Sequence, residues 1–71
     1  MRPTASQVFG KNVNRLRTAS ALTQEALAEK ADLSRRFLQE IESGAKSPTV
    51  PMLAKLRQAL GCTWDDLLKG L

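Results

Sequence analysis

An all-α fold built from five helices is predicted by three features of the sequence. The apolar residues are mostly Leu and Ala, which favour helix, and β-branched residues are few. Apolar positions recur at three- and four-residue spacing rather than in alternation. Ser or Thr stands where such segments would begin, and Gly closes two of them. Residues 1–71 are expected to form one domain, with no linker, repeat or low-complexity stretch. The 42% apolar and 25% charged content suits a folded chain rather than a disordered one.

The first helix is expected from about Ser6 to Ala19, with Phe9, Val13 and Leu16 on one stripe. Lys11, Asn14, Arg15 and Arg17 fall off that stripe, and both arginines are read as part of a solvated face. Gly10 inside this helix costs up to about 1 kcal/mol relative to alanine, so a weak first turn is expected. Thr23 is the N-cap of the second helix, with Leu22 as a staple before it and Glu25 in its first turn. Leu27, Ala28 and Ala31 form its buried side, where the small alanines admit a close neighbour. After the break "ADL", Ser34 caps a third helix that ends at Gly44. The loop "AKSPT" leads to a fourth helix capped by Thr49, tolerant of Pro51 in its first turn and stopped by Gly61. Leu53, Leu56 and Leu60 face inward from it. Thr63 begins a short fifth helix, where Thr63 and Asp66 form a capping box and Asp65 suits the helix dipole.

Several functional classes find no residues to carry them. Histidine and tyrosine are absent, and the single cysteine, Cys62, can neither close an internal disulfide nor complete a metal site. A lone thiol without a base is a weak nucleophile, so no enzyme activity, metal or cofactor is expected. Cys62 is read as a small buried apolar residue. No apolar run approaches the ~20 residues that span a bilayer, and "MRPTASQ" lacks the apolar core of a signal peptide. A soluble cytoplasmic protein without a membrane partner is expected. Eleven Lys and Arg against seven Asp and Glu give a formal net charge of +4, which favours a polyanionic partner.

The third helix shows where such a partner would sit. Arg35 and Arg36 directly follow the cap Ser34. A cation in the first turn opposes the helix dipole at a cost of roughly 0.3–1 kcal/mol. At about 100° per residue, Arg35, Gln39, Arg36 and Glu40 fall within about 140°, whereas Phe37, Ile41 and Leu38 fall between about 200° and 300°. The guanidinium forks of the outward set match guanine O6/N7 or a phosphate, and a polyanion at this spot would turn the unfavourable placement into charge-assisted contacts. The plainer alternative is an exposed face on which Arg36 pairs with Glu40 at i+4 for a few tenths of a kcal/mol.

The string "LTQEALAEKADLSRRFLQEIESGAKSPTVPMLAKLRQALG" resembles the helix-turn-helix domain of the lambdoid-phage repressor and Cro family, also called the xenobiotic-response-element family. The resemblance rests on the Gln that opens helix 2, "LAEKA" before a three-residue turn, "S-R-x-F-L-x-x-I-E-x-G", the "S-P" of the next loop and "ALG" at the end of helix 4. It extends from about Phe9 to Leu68, with the helix-turn-helix itself over about residues 23–43. It implies a sequence-specific DNA-binding transcriptional regulator whose third helix enters the major groove of double-stranded DNA. Ser34, Arg35, Arg36 and Gln39 would occupy the base-reading positions with Glu40 at their margin, while Gln24 and the loop residues Lys46, Ser47 and Thr49 would contact phosphates. Glu40 could instead pair with Arg36 or repel wrong sites, Phe37 is expected at the edge of the core, and Gln24 and Lys46 could be ordinary solvated residues. Asp32 departs from the glycine usual in this turn, though Asp tolerates the left-handed conformation.

One recognition helix reads few base pairs, so a homodimer on a pseudo-palindromic operator is expected. Trp64, Leu67, Leu68 and Leu71 are the candidate interface, since they exceed what one inward stripe of a short helix uses. No small-molecule ligand is expected, and regulation would follow protein concentration and dimerisation. The competing reading is a protein-interaction module, such as an antitoxin-like partner, that binds another protein through the same apolar C-terminal helix.

Overall fold

The computed structural model describes residues 2–71, among which five helices and no strand occur. They are α1 (Ala5–Ala19), α2 (Gln24–Lys30), α3 (Arg35–Ser43), α4 (Val50–Leu60) and α5 (Trp64–Leu67). Each begins at a Thr or Ser whose hydroxyl accepts a first-turn N–H. The caps are Thr4, Thr23, Ser34, Thr49 and Thr63. This local chemistry satisfies amides that the helix cannot serve internally. The expected start of α1 near Ser6 moves to Thr4, where Thr4 and Gln7 form a full capping box at 3.1 and 2.9 Å. The polar "PTASQ" lacks an apolar stripe, but it has the T-x-x-Q spacing that the box requires.

At the other ends, α3 and α4 close on left-handed Gly44 and Gly61. The turns after α1 and α2 instead use Ala21 at φ 57° and Asp32 at φ 55°. Asp32 therefore holds the conformation for which glycine is the usual solution.

Phe9, Val13, Leu27, Ala28, Ala31, Leu38, Ile41, Leu56 and Leu67 form the buried core. Leu16, Leu22, Phe37, Leu53, Leu60 and Leu68 pack on its margin. Leu67, expected at a subunit interface, is instead fully buried. Helix α5 is only one turn long and uses this leucine to attach itself to the domain. Cys62 is half-buried rather than a core residue. Burial, followed by the nearby Asp66 carboxylate, pushes its thiol pKa up, so the protonated, unreactive form prevails at neutral pH.

Helix α1 is the spine. Its contact with α3 is made at the backbone, because a Cβ on Gly10 would lie 2.3 Å from the carbonyl oxygen of Ile41 and 2.6 Å from that of Glu42. Gly10 is thus the residue that lets two helices touch, rather than the source of a weak first turn. Asn12 secures the opposite side of α1. Its buried side-chain amide donates to the carbonyls of Leu67 and Lys69 at 3.0 and 2.7 Å, holding the C-terminal turn against the helix.

Helix propensity alone predicts that Gly10→Ala stabilises by up to about 1 kcal/mol. The close backbone approach predicts the opposite, a loss of about 2 kcal/mol or more as the methyl forces α1 from α3. For a domain of this size such a loss lowers Tm by roughly 8 °C or more, which thermal denaturation followed by circular dichroism measures.

Candidate nucleic-acid interface

Two fully buried side chains, Leu38 and Ile41, anchor α3. With that face committed, Ser34, Arg35, Arg36 and Gln39 are left on the exposed side and Glu40 at its edge. The Arg35 and Arg36 side chains are 65% and 90% exposed, so neither turns into the protein body. The Ser34 hydroxyl accepts from the Phe37 amide at 3.0 Å, and no acidic residue lies in the first turn. The positive end of the helix and two guanidinium groups therefore coincide. Each arginine has one carboxylate nearby, both at long ion-pair distance. Arg35 Nη1 is 3.7 Å from Glu25 Oε1, and Arg36 Nε is 3.9 Å from Glu40 Oε1. Exposed pairs of this kind are worth about 0–1 kcal/mol. Phe37 packs against the core margin, as expected, and leaves the polar face to its neighbours.

The other residues singled out in the sequence have mixed duties. Gln24 is half-buried at the start of α2, and its Nε2 donates to Glu42 Oε1 at 3.2 Å. That bond orients the amide and leaves one N–H for a further acceptor. Thr49 uses its hydroxyl as acceptor for the Met52 amide, which leaves the O–H proton free to be donated. Ser47 shares a hydroxyl–hydroxyl bond with Ser6 of α1. Lys46 is exposed, and its loop folds back onto α3 because the amides of Ala45 and Lys46 both donate to the Glu40 carbonyl at 2.9 and 3.3 Å.

Sequence reasoning missed the group that holds these parts in register. The Glu42 side chain, 5% exposed, receives Arg17 through Nε at 2.7 Å and Nη2 at 3.1 Å. Asn14 adds a bond at 2.9 Å alongside that from Gln24. Arg17 also donates through Nη1 to the Leu22 carbonyl at 2.8 Å and is only 13% exposed. The expectation of a solvated Arg17 is therefore corrected: it lies beside Val13 at the edge of the buried stripe, where Glu42 compensates its charge. Arg15 is exposed, yet it too is aimed, with Nη2 3.4 Å from the Asp66 carbonyl. The signal for Glu42 was its place one residue after Ile41, on the shoulder of the apolar arc.

Of the apolar C-terminal set, Trp64 is 45% and Leu71 60% exposed, whereas Leu68 is half-buried. Arg57 stacks on Trp64 with its guanidinium carbon 5.1 Å from the ring centroid, and the buried Arg57 Nε has no hydrogen-bond partner. Leu68 and Leu71 join Phe9, Pro48 and Leu53 in a shallow apolar groove of about 160 Å³.

Comparison with known proteins agrees with this architecture. The helix-turn-helix family model matches residues 13–67. Control protein C.BamHI of Bacillus amyloliquefaciens is 36% identical over 62 residues, which cover 86% of this chain and 76% of that protein. A helix-turn-helix transcriptional regulator of Sinorhizobium fredii is 37% identical over 62 residues, covering 87% of this chain and 80% of the relative. Among solved structures, the restriction-modification controller protein C.AhdI from Aeromonas hydrophila superposes with a TM-score of 0.84 at 32% identity, covering 87% of this chain and 94% of the controller.

Burial raises the Glu42 pKa, but hydrogen bonds from Arg17, Asn14 and Gln24 and the Arg17 charge outweigh it, and the carboxyl titrates below its ordinary value of 4.5. A depressed folded-state pKa stabilises above the unfolded value and loses that contribution as pH falls through the folded one. Glu42→Gln is therefore expected to cost about 3 kcal/mol at neutral pH, because Arg17 is left without its counter-charge. In chemical denaturation across pH, the gap between wild type and variant should be constant at neutral pH and narrow below about pH 4.5.

Proposed function

The chain belongs to the helix-turn-helix family of DNA-binding regulators, and from that premise we propose that it binds a pseudo-palindromic operator as a homodimer, with α3 in the major groove. The observation that carries this reading is the face of α3. Two exposed arginines stand at a capped helix start, while the opposite face is fully buried. Ser34, Arg35, Arg36 and Gln39 supply the base-reading groups, and Glu40 borders them as an acceptor for cytosine N4 or a repellent of wrong sites. Gln24, Lys46, Ser47 and Thr49 flank α3 as phosphate contacts, through the free N–H of Gln24, the ammonium of Lys46 and the hydroxyls of the other two. The free N–H of Gln24, the Lys46 ammonium and the Thr49 O–H suit phosphate oxygens, which only accept, and the Ser47 O–H does so when Ser6 is the donor in their shared bond.

Dimerisation supplies the second half-site. Trp64, Leu71 and the half-buried Leu68 remain available for it, and Leu67 supports them from the core. Trp64 stacked under Arg57 is a pre-ordered aromatic of the type that concentrates interface energy. No helix among the described residues is long and apolar enough to cross a membrane. The relatives are a transcriptional regulator, a control protein and a restriction-modification controller protein, which favours operator control over the antitoxin-like reading.

Selection of bound duplexes from a random pool tests the proposal, with two inverted half-sites about 10 base pairs apart, centre to centre, as the expected product. On the selected operator Arg35→Ala is expected to weaken binding by roughly 1–3 kcal/mol and to relax preference at one base pair. An equal loss on every sequence would make Arg35 a phosphate contact instead. Trp64→Asp is expected to shift the monomer–dimer equilibrium toward monomer in sedimentation experiments, and unchanged self-association would remove this surface from the interface.

A further inference from the structure

One charged group beside the reading face has no part in the contacts proposed above. Glu25 stands in the first turn of α2, and its carboxylate lies 3.7 Å from Arg35 Nη1. The Glu25 and Arg35 side chains are 75% and 65% exposed, so packing does not force them together. They meet across an open cleft whose other walls are Thr23, Gln24 and the partly buried Arg17. Gln24, offered above as a phosphate contact, is the immediate neighbour of Glu25. A carboxylate that close to the duplex backbone repels it and weakens binding to DNA of any sequence, so a compensating role is to be sought in what Glu25 does to Arg35.

A guanidinium has five N–H donors arranged along two edges and an end. With Nη1 turned to Glu25, Nε and Nη2 remain as a parallel pair, the arrangement that matches the two acceptors of a guanine edge. An unaccompanied arginine can satisfy itself on any phosphate, and phosphate neutralisation is the main source of sequence-independent binding. An arginine that already faces a carboxylate gains less from exchanging one anion for another, and it must bring the carboxylate along.

We propose that Glu25 is a positioning residue for base recognition, whose carboxylate steers the Arg35 guanidinium so that its free edge meets guanine rather than a backbone phosphate. The inference rests on the reading of α3 as the recognition helix. Glu25 thereby lowers affinity for all DNA while raising the ratio of operator to random-sequence binding.

The test compares wild type, Glu25→Gln, Arg35→Ala and the double variant on the selected operator, its single-base variants and a random duplex, across salt. Glu25→Gln is expected to lower the thermal midpoint by a few degrees, the loss of one first-turn charge, and to tighten random-duplex binding by about two- to five-fold, the range open to an exposed ion pair. The salt slope on random DNA should steepen by about 0.9, one added phosphate contact. Preference for guanine at the position read by Arg35 should fall by a similar factor. With Arg35 already changed to Ala, Glu25→Gln should alter neither the slope nor the base preference. Equal tightening on every duplex, with or without Arg35, would overturn the proposal and reduce Glu25 to general repulsion. Failure of the wild type to hold any duplex would instead overturn the recognition-helix reading on which it rests.

Discussion

The Glu42 carboxylate is the meeting point of three helices, and the placement of the reading face depends on how it is satisfied. A carboxylate 5% exposed would be expensive if left alone. Here it belongs to α3, receives Arg17 and Asn14 from α1, and receives Gln24 from the start of α2. The donors come from two separately packed helices, so the geometry of one bond constrains the others. The distance between the start of α2 and the exposed side of α3 is thereby held by hydrogen bonds as well as by Leu27, Leu38 and Ile41. A groove reader needs that distance held, since backbone-contacting residues and base-reading residues must meet the duplex together.

Helix α1 carries the same rigidity to the other end of the domain. Gly10 lets its backbone rest on the end of α3, and Asn12 donates to the carbonyls of Leu67, the last residue of α5, and Lys69 just beyond it. A displacement of α3 would therefore be felt by α1 and, through Asn12, by the C-terminal turn that presents Trp64 and Leu71. For a dimer this matters because half-site spacing follows from the path between the interface and each recognition helix. That path crosses a single helix, α1, with fixed contacts at both sides.

Much of this was legible before any coordinates. Four of the five caps, the stops at Gly44 and Gly61 and the outward set on α3 follow from spacing and local chemistry, and the left-handed Asp32 follows from the family resemblance. What periodicity did not disclose were the places where two distant segments solve a problem jointly. Gly10 looks like a helix defect until the Ile41 and Glu42 carbonyls are seen against it. Arg17 looks solvated because it falls beside the stripe formed by Phe9, Val13 and Leu16, and only a facing carboxylate makes burial there tolerable. Leu67 reads as an interface residue because α5 carries more apolar area than one inward stripe uses, whereas a helix of four residues needs a fully inserted side chain to stay attached. In each case a local rule was applied correctly and a tertiary contact overrode it.

The contrast between Arg17 and the pair on α3 shows how one small domain separates structural from available positive charge. Arg17 is 13% exposed and spends its donors on Glu42 and the Leu22 carbonyl, so it is withdrawn from any exchange with solvent or ligand. Arg35 and Arg36 sit against the positive end of a helix with carboxylates no closer than 3.7 and 3.9 Å. Those contacts offset part of the unfavourable field, and each guanidinium keeps further N–H donors free for a phosphate or a guanine edge. The domain thus tolerates a modest electrostatic cost in its free state and relieves it when a polyanion arrives, which couples the placement of two cations directly to the binding of nucleic acid.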